Sequence, residues 1–377
     1  MFSSALYNAQ TPTVLFSSVS QSPLKTFTTS SKLNCSIRLS MASSVRIVIV
    51  GDIHDDWNLL EDSKALELLQ PDLVLFTGDF GNENVELVRS IAALKMTKAA
   101  ILGNHDAWKT HNFSDKKKDK DGVQLQLESF GEEHVGYKRL DFHSLKLSVI
   151  GGRPFSCGGE RLFRKQLLAK RYGVHNMNES ANRISEAALG TPNNHSVILL
   201  AHNGPTGLGS NMNDICGRDW VPGGGDHGDP DLAVAISQLK GNTKHCVTLV
   251  VFGHMHKELA FGNGQRKMIV IGDDNTIYLN GAIVPRVKRF YCDKQQTHST
   301  SSSSSTTDTL SPNSEGTLRA FTLVESKEGK LEKIAETWVS VIGDNTNVVE
   351  EHILLSNNVC TTSNLRKYKF CSCCGLL

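Results

Sequence analysis

The chain has 377 residues, 39% of them hydrophobic, and 40 lysines and arginines against 39 acids give a formal net charge of +1. That length can bury one large core or two modest ones, and so balanced a charge excludes a broad field for nucleic acid or an anionic membrane, leaving a compact ligand as the expected partner. No run approaches the ~18 consecutive apolar residues of a membrane span. The nine cysteines lack paired spacing through the core and suit a reducing compartment better than a disulfide framework.

Residues 1–44 read as a transit peptide. Asp and Glu are missing from residues 1–51, Ser and Thr dominate, and Lys25, Lys32 and Arg38 are the scattered basic groups. Few arginines among many hydroxyls point to a plastid, so the expected address is the chloroplast. An internal start at Met41 would add a leaderless form in the cytosol.

From Val45 the composition turns globular. The β-branched run Val45-Arg46-Ile47-Val48-Ile49-Val50 predicts a strand ending in Gly51-Asp52. Leucines at 59, 60, 66, 68 and 69 predict a helix over 57–70, stopped by Pro71. A strand over 72–77 ends in Gly78-Asp79, a helix occupies 83–94, and a strand over 98–102 ends in Gly103-Asn104. This is the βαβ rhythm of a mostly parallel sheet. Residues 107–136 read as irregular, with the mixed charges of 116–121 on a solvated loop. A strand over 145–150, helices near 161–170 and 179–189, and buried strands over 196–201 and 247–252 follow. The glycine-rich stretch 204–228 reads as a mobile lid. Strand-like 268–271 and 276–284 precede a Ser/Thr tract at 297–314, read as a disordered insertion. Residues 317–325 and 331–339 then form a hairpin. The globular domain is placed at 45–340, with a tail at 341–377.

Five polar clusters stand where apolar strands end: Asp52-Ile53-His54, Gly78-Asp79, Gly103-Asn104-His105-Asp106, His202-Asn203-Gly204 and Gly253-His254-Met255-His256. In an open α/β sheet that edge is where ligands bind. Asp, His and a side-chain amide are the groups that hold hard or borderline divalent cations, and several loops can surround a metal pair where one cannot. Asp52 with His54, and His254 with His256, lie two apart and can each grip an ion. Asp79 is placed to bridge two ions about 3.5–4 Å apart, between which a water would become a nucleophile. Asn104 can ligate through its amide oxygen, His105 can protonate a leaving oxygen, and Asp106 can hold the His105 tautomer. Any one cluster alone has a plainer reading as a turn or a hydrogen-bonded histidine; the set of five in order does not.

These clusters resemble the signature of the calcineurin-like metallophosphoesterase superfamily, over about residues 46–285. The resemblance implies a four-layer αββα sandwich with a dinuclear centre. By that pattern one ion takes Asp52, His54, Asp79 and His256, the other takes Asp79, Asn104, His202 and His254, and His105 is the general acid. The ions would be Mn, Fe or Zn in some combination.

One segment departs from the superfamily. Where the protein Ser/Thr phosphatases follow the bridging acid with an Asp-Arg pair that clamps phosphate, this chain reads Asp79-Phe80-Gly81-Asn82-Glu83-Asn84. Arg153 or Arg218 could supply a guanidinium from the lid side, although ordinary loop arginines are the plainer reading. Asp226-His227-Gly228-Asp229 is read as an Asx-rich turn rather than a further metal site. At the chain end Cys374-Gly375-Leu376-Leu377 has the spacing of a prenylation box, with Gly375 a poor aliphatic; an unmodified tail is the plainer expectation. The function expected is metal-dependent hydrolysis of a small phosphomonoester or phosphodiester. A phosphoprotein phosphatase outside the arginine-clamp branch and a non-catalytic scaffold on this fold are the alternatives.

Overall fold

The computed structural model describes residues 44–113, 120–241, 247–292, 314–327 and 330–357. The transit-peptide and prenylation expectations, and nearly all of the Ser/Thr tract, concern residues outside these. The elements in chain order are β1 (Ser44–Val50), α1 (Leu59–Leu69), β2 (Leu73–Phe76), α2 (Val85–Ala92), β3 (Lys98–Ala100), α3 (Gly122–Phe130), β4 (Arg139–Phe142) and β5 (Leu147–Gly151). Then come α4 (Lys165–Tyr172), α5 (Met177–Ala187), β6 (Ser196–Leu200), α6 (Pro230–Gly241), β7 (Val247–Phe252), β8 (Ile269–Ile271) and β9 (Ile277–Asn280). The chain closes with β10 (Val287–Cys292), β11 (Ser314–Lys327), β12 (Lys330–Ile342) and β13 (Asn345–Ser356).

Among the described residues these strands make two sheets, ordered β13-β12-β11-β1-β2-β3 with β10 also on β11, and β4-β5-β6-β7-β9-β8. The pairs β1–β2, β2–β3, β5–β6, β6–β7 and β7–β9 are parallel, so the strands that precede the polar clusters all end at one edge. The period-2 alternation of a strand explains the layering. Val45, Ile47 and Ile49 of β1 join Leu75, Val149, Ile198, Val251 and Leu279 in a core between the two sheets. The alternate positions Val48 and Val50 turn the other way and pack with helix residues such as Leu66 and Val88. On the second sheet Leu199, Val250 and Phe252 do the same with Ile184 and Ile236. The result is helices, sheet, sheet, helices, the αββα arrangement expected.

Helix starts follow local chemistry. Asn58 caps α1 by accepting from Leu60 N and Glu61 N, both at 3.1 Å, and Gln70 ends it in a left-handed conformation before Pro71. Asn84 and Asn176 cap α2 and α5 in the same way.

Four expectations are corrected. The stretch 107–136 contains α3, whose Val123, Leu127 and Phe130 bury one face, after a charge run that hides the periodicity. Helix α6 starts at Pro230, a favourable first-turn residue, and was not expected. The stretch 204–228 is no mobile lid: Ile215 and Cys216 are fully buried, and the Arg266 guanidinium donates to Asp214 O at 2.8 Å and Gly217 O at 2.6 Å. The tail expected from 341 is overrun by β13, which pairs with β12 from Ile342↔Asn345 to Lys333↔Ser356.

Candidate metal centre

The loops after β1, β2, β3, β6 and β7 converge at the shared edge. Their backbones are strained: Asp52 (φ 23°), His54 (45°), Asp79 (51°) and His254 (66°) all sit in the left-handed region, unfavourable for residues with a Cβ. Hydrogen bonds between the loops hold them there. His54 N donates to Asp79 O and Asp55 N to Phe80 O, each at 2.9 Å, locking the first loop to the second. His254 N donates to both Asp52 carboxylate oxygens, at 3.0 and 2.9 Å, locking the fifth to the first. His105 N donates to Asp79 Oδ1 at 2.8 Å, locking the third to the second. Two glycines are required by close approach. A Cβ at Gly103 would lie 2.3 Å from Asp79 Oδ1, and one at Gly253 would lie 2.2 Å from Asp52 Oδ1.

Seven predicted ligands are thereby brought together. Three triads have donor atoms within 4.8 Å of one another: Asp52, His54 and His256; Asp79, His202 and His254; and His54, Asp79 and His105. The His54 and His256 Nε2 atoms face each other at 3.0 Å, and His202 Nε2 lies 3.0 Å from Asn104 Oδ1. His202 Nδ1 donates to Thr77 O at 2.7 Å, which directs its Nε2 to Asp79 Oδ1, 3.4 Å away. The other Asp79 oxygen, Oδ2, lies 3.9 Å from His54 Nε2. Mixed nitrogen and oxygen donors, buried carboxylates and ring nitrogens oriented by a backbone acceptor fit divalent metal ions.

Electrostatics separate the histidines. Burial works against charge on His202, and the Asp79 carboxylate outweighs it, raising the pKa to about 10. Burial and then the charge of His202 push His254 down to about 3. Burial opposes the Asp79 and Asp52 anions, yet His202 beside Asp79 and His256 beside Asp52 hold both carboxyls below the usual range. A cation held by His202 would compete with the proton that Asp79 favours there, so metal binding at this histidine would release a proton. Apparent metal affinity is expected to fall about tenfold per pH unit below neutrality for each proton released. Calorimetry in buffers of different ionisation enthalpy measures that release; a pH-independent affinity with no proton uptake by buffer would contradict it.

Asp106 differs from the expectation. Its carboxylate does not reach toward the His105 ring but turns inward, accepting from Asp79 N at 2.9 Å, Phe80 N at 2.9 Å and Gly103 N at 2.8 Å. Burial and the neighbouring Asp79 charge push its pKa up against these donors. It is a positioning residue for the Asp79 loop rather than a catalytic one. Asp106→Ala would orphan three buried N–H groups and is expected to cost about 3 kcal/mol or more. Thermal unfolding with metal analysis tests this; an unchanged Tm and metal content would reject the role.

The residue that does hold His105 is Asn82, whose Oδ1 accepts from Nδ1 at 2.6 Å. On its other side the imidazole stacks on Trp108, centroids 4.9 Å apart and planes 9° from parallel. Its Nε2 faces the site, 4.0 Å from Asp79 Oδ2. Asn82 was passed over in sequence because it is neutral; its spacing, three residues after Asp79 in the segment that lacks an arginine, was the available signal.

Neither predicted arginine reaches the site. Arg153 is buried and paired with Asp229 and Asp231, both at 2.8 Å. Arg218 is half-buried in the 204–229 loop, its backbone N donating to Gly225 O at 2.8 Å, and does not line the cavity. That cavity, of about 390 Å³, includes Asp79, His105, His254 and His256 and is closed by Trp220, His227 and Arg266, none of which was predicted.

The model of the calcineurin-like phosphoesterase family matches residues 45–258, which takes in all five loops. The chain belongs to that family and is a metal-dependent phosphoester hydrolase. Among solved structures, a dimetal phosphatase from Danio rerio is similar with 10% identity and a TM-score of 0.42, over 83% of this chain and 99% of that one. A conserved uncharacterized protein from Streptococcus pneumoniae, described as a predicted phosphoesterase, has 10% identity and a TM-score of 0.28 over the same shares. PhoD has 7% identity and a TM-score of 0.40, over 82% of this chain and 72% of that one. No curated protein matches the chain in sequence.

Proposed function

We propose that the chain hydrolyses a small phosphomonoester or phosphodiester at a centre of two divalent ions. Asp52, His54, Asp79 and His256 would hold one ion, and Asp79, Asn104, His202 and His254 the other. The observation that carries this reading is the Asp79 carboxylate, which presents Oδ1 to His202 and Oδ2 to His54, one oxygen to each half of the ligand set. The bound ions supply Lewis-acid stabilisation of phosphoryl charge and acidify a water for attack.

The protein's own part is positioning and proton transfer. His105, with Nδ1 engaged by Asn82, has Nε2 free to donate to the leaving oxygen. Among the described residues, the one guanidinium on the cavity wall is already engaged. Arg266, on the cavity wall, is engaged by Asp219 at 3.2 Å and by backbone carbonyls. That supports a small substrate over a phosphoprotein, whose orientation on related phosphatases depends on an arginine clamp, and the presence of His105 argues against a scaffold.

The test is hydrolysis of an aryl phosphate by the full chain in Mn²⁺, with metal content measured on the same sample. Turnover with about two ions per chain is expected. Activity that survives complete chelation would overturn the reading.

A further inference from the structure

The cavity that holds Asp79, His105 and His254 continues to a second wall made by Trp220, His227 and Glu258. The rings form a ladder outward from the ligand set. His227 stacks over His254 with centroids 6.0 Å apart and planes 24° from parallel, and Trp220 meets His227 edge to face at 4.9 Å. Trp220 remains 46% exposed although it adjoins a buried ion pair, Asp219 with Arg266. Asp219 also accepts from Ala260 N, at 2.6 Å, which fixes the mouth of the cavity in place. Beside Ala260, Phe261 is 85% exposed on a backbone at φ 62°. A bulky side chain in the left-handed region and out of the core is an outlier that calls for a role.

The charges at this end are equally specific. Arg266 is engaged by Asp219 and by the carbonyls of His256, Asp214 and Gly217. Glu258 is exposed on the same wall and makes no ion pair among the described residues. A carboxylate accepts hydrogen bonds and repels anions. This wall therefore suits the alcohol half of an ester, one that is planar, bears N–H or O–H donors and carries no further phosphate. A base stacked on an indole contributes at a level seen readily in kinetics.

We propose that the substrate is a nucleoside monophosphate, its base packed on Trp220 and its hydrogen-bond donors met by Glu258. This rests on the phosphoesterase reading above and adds the substrate class. Trp220 stands two ring contacts out from His254 on the same cavity wall, on the side where the part of an ester beyond its phosphate would lie.

The experiment compares kcat/KM of the metal-loaded full chain on adenosine monophosphate, adenosine triphosphate, glycerol phosphate, a phosphotyrosine peptide and p-nitrophenyl phosphate. Adenosine monophosphate is expected to exceed glycerol phosphate by about tenfold or more, with the triphosphate and the peptide slower. Trp220→Ala should raise KM for adenosine monophosphate about tenfold, a loss clearly larger than on glycerol phosphate, and Trp220→Phe should recover most of it. Glu258→Gln should raise the same KM several-fold and narrow the gap between mono- and triphosphate. Equal losses on both substrates, no loss on either, or a preference for the peptide would overturn the inference. If p-nitrophenyl phosphate is hydrolysed but adenosine monophosphate is not favoured over glycerol phosphate, the substrate class falls and the phosphoesterase reading stands. No turnover of any of the five would sink both.

Discussion

Asp79→Asn is expected to lower kcat on an aryl phosphate by about 10³-fold or more at saturating Mn²⁺, the order at which loss of a charge-stabilising group in a reaction centre is felt. Asp79 is buried, and its two oxygens face different halves of the ligand set, His202 at 3.4 Å and His54 at 3.9 Å. Its pKa is lowered although burial opposes this, because His202 sits beside it, so it is an anion throughout the working range. The amide has the same shape and can still accept from His105 N, so the loop geometry should survive while the negative charge that two cations would share is lost. The variant should fold, as read by an unchanged circular dichroism spectrum, and should bind fewer than two ions. Hydrolysis at the parental rate would sink the two-ion mechanism outright.

The legible part of the site was the part written in residue types that seldom occur for other reasons at strand ends. Asp52, His54, Asp79, Asn104, His202, His254 and His256 could be singled out because each follows an apolar run, and parallel pairing within each sheet then carries the runs of that sheet to a common end. The layering was legible for a similar reason: the alternation in Val45 to Val50 leaves two apolar faces to cover, one by a sheet and one by helices. What was hidden depends on contacts far apart in sequence. Asp106 adjoins His105, and adjacency pointed to a partnership that the turn excludes by directing the carboxylate inward. Arg153 looked available because nothing local shows that Asp229 and Asp231 lie against it. The glycines of 204–228 looked mobile because their composition is that of a loop, whereas the restraint comes from Arg266, far along the chain. Helix α3 (Gly122–Phe130) is capped by Asp121, at the end of a charge run that masks its first turn.

His105→Gln is expected to cost about 10²–10³-fold in kcat on an alkyl phosphate and far less on p-nitrophenyl phosphate, whose leaving oxygen needs little protonation. The difference between the two substrates is what assigns the role. A residue that only bound phosphate would lose on both alike. Geometry places Nε2 on the cavity side, 4.0 Å from Asp79 Oδ2, while Nδ1 is held by Asn82 and the ring plane by Trp108. Asn82→Ala should therefore reproduce part of the loss, about tenfold, with the same dependence on leaving group, because the ring stays but its orientation is no longer set. Asn82→Asp carries the argument further. A carboxylate still accepts from Nδ1, so this variant should recover most of the kcat that Asn82→Ala loses on an alkyl phosphate; a loss equal to that of Asn82→Ala would reject the orienting role.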